Sequence, residues 1–247
     1  VTPLHALAVF AAGVAAGCIN VIVGSGSLIT FPVLLALGYP PVVANVSNTV
    51  GLVPGSASGA YGYRRELNGQ RYRLLVLGAA SVVGAIIGGL LLLVLPASAF
   101  EVIVPVLIAV ACVLVVAQPK LSSWLGGRQR HVHGGPWLWL GVVASGVYGG
   151  YFGAAQGVIL LALLGIFLNE DLQRVNAVKN VLAGVVNGAA ALLFIAVAHV
   201  NWTVVLCIAV GSMLGGLLGA SIGRRLPPIA LRILIVLVGV AAIIKLL

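Results

Sequence analysis

Residues 74 to 95, LLVLGAASVVGAIIGGLLLLVL, run for 22 residues without one charged side chain. A helix needs about 20 such residues to cross a hydrocarbon core of about 30 Å. Comparable apolar runs occupy 42 to 63, 98 to 117, 175 to 198, 202 to 223 and 228 to 247. Only 7% of the residues are charged and 62% are hydrophobic, giving a mean hydropathy of +1.22. Soluble domains carry roughly a quarter charged residues. The sequence therefore predicts an all-α polytopic membrane protein.

The net charge of +9 does not read as a nucleic-acid surface, because the basic residues fall in short gaps between apolar runs. With the loop holding Arg64, Arg65, Arg71 and Arg73 on the cytoplasmic side, counting crossings puts Lys120, Arg128, Arg130, Arg174, Arg224 and Arg225 there too. That is ten of the 13 Lys and Arg, while the loops at 39 to 41, 96 to 97 and 199 to 201 hold none. The expected location is the inner or plasma membrane, with both termini outward. No basic n-region or small-residue cleavage site suggests a signal peptide. Cys18, Cys112 and Cys207 lie inside apolar runs without metal-ligand spacing and read as small buried hydrophobes.

Two regions, 4 to 38 and 137 to 168, are too long for one ordinary helix, and each is interrupted near its middle. The first break lies within VIVGSGSLITFP (21 to 32), the second in YFGAAQG (151 to 157). The arm from 27 to 38 is about 18 Å long as a helix and cannot cross. Both regions read as hairpins that dip into the membrane and return. SVVGAIIGG (81 to 89) aligns with SMLGGLLGA (212 to 220) at an offset of 131, as do Pro96 with Pro227 and Glu101 with Arg232. Gly17 and Gly24 match Gly146 and Gly153 at 129, and Asn48 matches Asn180 at 132. The chain thus reads as a duplicated unit of one dipping hairpin and three crossing helices. The first repeat is 1 to 117, with helices 42 to 63, 74 to 95 and 98 to 117. A cytoplasmic linker covers 118 to 136. The second repeat is 137 to 247, with helices 175 to 198, 202 to 223 and 228 to 247. An odd number of crossings inverts the second copy.

Broken backbone is tolerated at membrane depth only where protein buries it or water reaches it. Helix starts at the two breaks would aim free N–H groups and positive dipole ends at the membrane centre, an arrangement that attracts anions. Gly24, Ser25, Gly26 and Ser27 in the first break, with Gly153 and Gln156 in the second, are the candidate site residues. Close helix packing is the other use of such glycines. The helix after each hairpin carries a polar stripe: Asn45, Thr49 and Ser56 in the first copy, with Asn48 on the flank of that stripe, and Asn176, Asn180 and Asn187 in the second. These stripes could bind substrate or only link helices by hydrogen bonds. Lys179, several residues into its helix, either points inward toward an anion or a coupling step, or snorkels to the interface. Glu101 and Arg232 read as helix-end charges. His5, His131, His133 and His199 are scattered and no carboxylate pair lies in a helix interior, so neither an intramembrane enzyme nor a metal or other cofactor is expected.

The duplicated pattern GVAAGCINVIVGSGSLITFPVLLALGYPPVVANVSNTVG, with RVNAVKNVLAGVVNGAAALLF and HVNWTVVLCIAVGSMLGGLLGASIGRRLPP in the second half, resembles the TauE/SafE-type sulfite exporters across essentially all 247 residues. That resemblance implies an inner-membrane permease for sulfite, sulfonates or related small anions. The usual glycine run is here Gly24-Ser25-Gly26-Ser27, and the familiar Thr-Ser-like pair is Ser47-Asn48. Both departures add polar groups at the presumed site. The leading expectation is a secondary transporter, an exporter working by alternating access around the paired breaks. An anion channel and a small-carboxylate permease are the alternatives. Its partners on this reading are a small anion, the bilayer, a coupling proton or sodium ion and a second copy of the chain, but no nucleic acid.

Overall fold

The computed structural model describes residues 3–125 and 135–222, with residues 233, 236, 237, 240 and 244 beyond them. Much of the predicted linker, the helix predicted at 228 to 247 apart from those five residues, and Arg128, Arg130, Arg224, Arg225, Arg232 and Lys245 lie outside the described residues. The regular structure is helical: α1 (Pro3–Ile22), α2 (Ser27–Ala36), α3 (Pro41–Gly62), α4 (Arg71–Val94), α5 (Ala97–Leu125), α6 (Gly135–Tyr151), α7 (Gln156–Phe167), α8 (Leu172–Val197) and α9 (Trp202–Ile222).

Each of the two over-long apolar regions is a pair of helices joined by a tight reversal. Gly24 (φ 85°) and Gly153 (φ 77°) take the left-handed backbone that turns the chain, and Ala155 (φ 58°) does so without the freedom of glycine. Helix α2 ends at Gly38, whose positive φ lets the Gly38 and Tyr39 amides donate back to Leu35 and Leu34. Pro41 opens α3, where its missing N–H costs nothing. Asp171 caps α8, its carboxylate accepting from the amides of Gln173 (2.9 Å) and Arg174 (3.1 Å).

Helices α1, α4, α8 and α9 are long and apolar enough to cross a membrane. Helix α3 is 22 residues long but is diluted by Asn45, Ser47, Asn48, Thr49, Ser56 and Ser58, all of them buried. Its apolar complement is small because its surroundings are protein. The opposite holds for α4, where Val82, Val83, Ile86, Ile87, Leu90 and Leu91 form an exposed stripe at helical spacing. Their counterparts at the 131 offset on α9, among them Met213, Leu214, Leu217 and Leu218, are exposed in the same way. Two matched apolar stripes facing outward are lipid-facing surfaces.

The most extensive helix contacts are α1 with α9, α3 with α9 and α4 with α6. Glycines allow them. A Cβ at Gly17 would run into the backbone of Ser212, and one at Gly219 into Cys18, so α1 and α9 lie backbone to backbone and parallel. Gly84 meets Val143 and Gly146 of α6 in the same manner, and Gly150 of α6 meets Ala85 of α4. Small residues permit this approach where lipid gives helices little hydrophobic reason to associate.

Candidate functional site

The two reversals touch. The amide of Gly157, one residue into α7, donates to the carbonyl of Gly24 at 3.0 Å. A Cβ on either glycine would collide with the backbone of the other. Gly26 lies against Ala16 and Asn20 of α1, and Gly17 of the same helix lies against Ser212, midway along α9. The junction therefore sits deep between the ends of the bundle.

A helix that ends inside protein leaves carbonyls needing donors. Here each first arm is closed by the helix that follows the other hairpin. Asn45 of α3 donates to the carbonyl of Tyr151 at the end of α6 (3.0 Å). Asn176 of α8, which stands 131 positions later, donates to Val21 at the end of α1 (3.3 Å). Lys179 reinforces the second closure, its ammonium donating to the carbonyls of Asn20 (3.0 Å) and Val21 (2.9 Å). The Tyr148 hydroxyl donates to the Ala154 carbonyl within the second reversal.

Lys179 is fully buried at 0% exposure, and among the described residues no carboxylate lies within ion-pair distance of it. A buried ammonium is costly unless paired. The negative end of α1 compensates part of its charge. The lysine therefore points inward, not to an interface.

The start of α2 is held by a side-chain chain. The Thr30 hydroxyl donates to Asn48 Oδ1, and Asn48 Nδ2 donates to Ser27 Oγ at 3.1 Å. The amides of Leu28, Ile29 and Thr30 turn back onto Ser25 and Gly26, so several of the expected free N–H groups are already engaged. Other polar atoms have nothing to bond among the described residues. Ser25 Oγ, Gln156 Nε2, Asn180 Nδ2, Asn45 Oδ1, Asn176 Oδ1 and the Tyr151 hydroxyl are buried without a hydrogen-bond partner. Native structures rarely leave such groups unpaired without a functional or solvent reason.

The predicted residues thus divide. Gly24, Ser25, Gly26, Ser27, Gly153 and Gln156 lie at the reversals, and Asn48, Asn176 and Lys179 bond directly to them or to the adjoining end of α1. Asn180 is buried with its amide unpartnered. Thr49 is buried, but its hydroxyl donates to the carbonyl of Asn45 one turn back (2.9 Å) and so bonds within its own helix. Asn187 lies along the α3–α8 seam, donating to Ser56 Oγ at 3.3 Å. Asn20, Thr30 and Tyr148 were not expected. Neither was the aromatic cluster in which the Phe31 ring packs edge-on against Phe152 (5.1 Å between centroids) and Phe100 (6.3 Å). Its place two residues before the end of α1 was the signal the sequence held for Asn20.

Beyond the junction, Glu170 joins α4 to α8. It pairs with Arg73 (3.0 Å) and Arg174 (2.6 Å), and Gln70 also donates to the Arg174 carbonyl. Burial alone would raise the Glu170 carboxyl, but hydrogen bonds and charge from Arg174 and Arg73 hold it below the ordinary value.

Similarity to known proteins covers the same span. A probable membrane transporter protein, YfcA of Escherichia coli K12, is 30% identical over 226 residues, 90% of this chain and 82% of that protein. A probable membrane transporter protein of Haemophilus influenzae is 28% identical over 215 residues, covering 86% and 82% of the two chains. The probable membrane transporter protein ORF9 of a Sinorhizobium species is 26% identical over 246 residues, 98% and 93% of the two. No solved structure gives a significant match. Residues 9–246 match the family described as Sulfite exporter TauE/SafE, and with apolar helices suited to a bilayer and a buried polar junction between them, this chain belongs to that family of membrane transporters.

Proposed function

We propose that the protein is a secondary transporter that carries a small anion, of the sulfite or sulfonate type, through the junction of the two reversals. The observation that carries this reading is the set of buried donors at the junction: Lys179, bonded to the end of α1 with no carboxylate beside it, and Ser25 and Gln156 at the two reversals with Asn180 on α8, all three without a partner among the described residues. An anion with several oxygen acceptors supplies what each of these groups lacks. The family name points to the same class of cargo.

The two halves act as inverted repeats, an arrangement in which transporters place substrate at the repeat interface between discontinuous helices. Reciprocal packing supports this: α1 rests on α9 as α6 rests on α4, and Asn45 and Asn176 close opposite arms. On this reading the packed rings of Phe31, Phe100 and Phe152 close one side of the junction. Val21, Tyr63, Ala177 and Ala220 pack on another. Alternating access then opens one side at a time, and the anion's charge lets the membrane potential drive it out of the cytoplasm, by about 2.3 kcal/mol per charge per 100 mV.

The test is counterflow of radiolabelled sulfite and of labelled methanesulfonate in proteoliposomes. Saturable exchange, with unlabelled anion trans-stimulating uptake, is expected. Large unitary currents without saturation would instead identify a channel, and exchange of short carboxylates alone would move the substrate class.

A further inference from the structure

Resting on the anion reading, we infer that the junction takes a singly charged oxyanion whose countercharge is Lys179 itself, with no metal cation bound alongside. Four helix ends meet there. The C-terminal ends of α1 and α6 bring about half a negative charge each, and the N-terminal ends of α2 and α7 bring about half a positive charge each. The two pairs cancel, leaving the ammonium of Lys179 as the net charge. Among the described residues, Arg73 and Arg174 lie beyond the junction and both pair with Glu170, and Asp171 caps the same helix as Arg174.

The position of Lys179 denies a co-bound metal the carbonyls at the end of α1. Carbonyls freed where a helix breaks are what sodium ions coordinate in broken-helix transporters. Here the carbonyls of Asn20 and Val21 are taken by Lys179 Nζ, at 3.0 and 2.9 Å, and Val21 accepts from Asn176 as well. The tethered amine of Lys179 fills that place. Two of the three ammonium N–H groups are spent on carbonyls, and the third has no partner among the described residues. Ser25 Oγ, Gln156 Nε2 and Asn180 Nδ2, all on residues at most 4% exposed, supply further unpaired donors. A monoanion leaves this buried cluster neutral, whereas a dianion leaves one uncompensated charge away from water.

The experiment titrates the full-length purified protein with methanesulfonate and with sulfate, which share oxygen acceptors on a tetrahedral sulfur and differ in charge. Both are given as sodium and as choline salts at equal ionic strength. Methanesulfonate is expected to bind at least about tenfold more tightly than sulfate, equally in sodium and choline, because of that uncompensated charge. Lys179→Met should abolish the methanesulfonate effect; the wild-type titration decides the matter alone if that variant does not fold. Equal or tighter binding of sulfate overturns the inference, and so does a sodium requirement, while leaving the anion reading in place. Binding of neither anion overturns both.

Discussion

The amide of Gly157 donates to the carbonyl of Gly24 across 3.0 Å, so the two chain reversals are bonded to each other by backbone alone. Side chains are excluded from the contact on both sides, and Gly24 needs its positive φ besides. Gly24→Ala should therefore cost on the order of 1–3 kcal/mol from backbone strain, with the collision against Gly157 added to it. Thermal unfolding of the detergent-solubilised protein measures this. A melting point equal to wild type would mean the two reversals are not in contact.

The cross-closing asparagines are unequal. Asn45 is the side-chain donor to the Tyr151 carbonyl, whereas the Val21 carbonyl bonded by Asn176 also accepts from Lys179. Asn45→Ala should destabilise by about 1–3 kcal/mol, the cost of a buried carbonyl left without its donor, and Asn176→Ala by less. Comparative melting curves check the order. The reverse order would show that Lys179 does not hold Val21.

Ser25 separates function from stability. Its hydroxyl is buried and unpartnered, so Ser25→Ala removes a group that costs the fold something and should leave the melting point unchanged or slightly raised. Uptake of labelled anion should fall in the same variant, by several-fold. Full transport would exclude this hydroxyl from the site.

Glu170 gives the protein an acid limit. Its carboxyl is held low in the folded state, so its contribution is fully present above the unfolded value of about 4.3 and is lost as pH falls through the depressed folded value. The wild-type melting point should drop across that acidic window relative to its value at neutral pH, and Glu170→Gln should flatten that drop while lowering stability at neutral pH. Parallel pH profiles for the two proteins would show that the Arg73 and Arg174 pairs contribute nothing.

Sidedness is open to labelling. With Cys18, Cys112 and Cys207 replaced by alanine, Ser98→Cys should react with an impermeant maleimide only from outside the cell and Gly127→Cys only from the cytoplasmic side. The opposite pattern would invert the arrangement of the basic loops.

Much of this was legible in the residues. Glycine and serine crowded at 24 to 27 cannot favour a continuous helix, and the small-residue cluster at 153 to 155 breaks the second apolar run in the same way. Lys179 stood out because charge is scarce in such a chain. The partners of those residues were not legible. Asn45 lies 106 positions from Tyr151 and Lys179 lies 158 from Val21, and no periodicity encodes a hydrogen bond between elements that distant. The bond Thr49 makes was not legible for a local reason: a threonine hydroxyl in a helix readily bonds the carbonyl one turn back, and the polar stripe does not reveal that choice.

Helix α1 rests chiefly on α9, and α6 on α4, so each half of the chain lends its leading helix to the other. Helix α1 consequently has no seat until α9, far along the chain, has been synthesised. Its glycine-lined flank must wait in lipid, or against insertion machinery, until α9 arrives. Severing the gene between the halves would produce two pieces that mature only by finding each other.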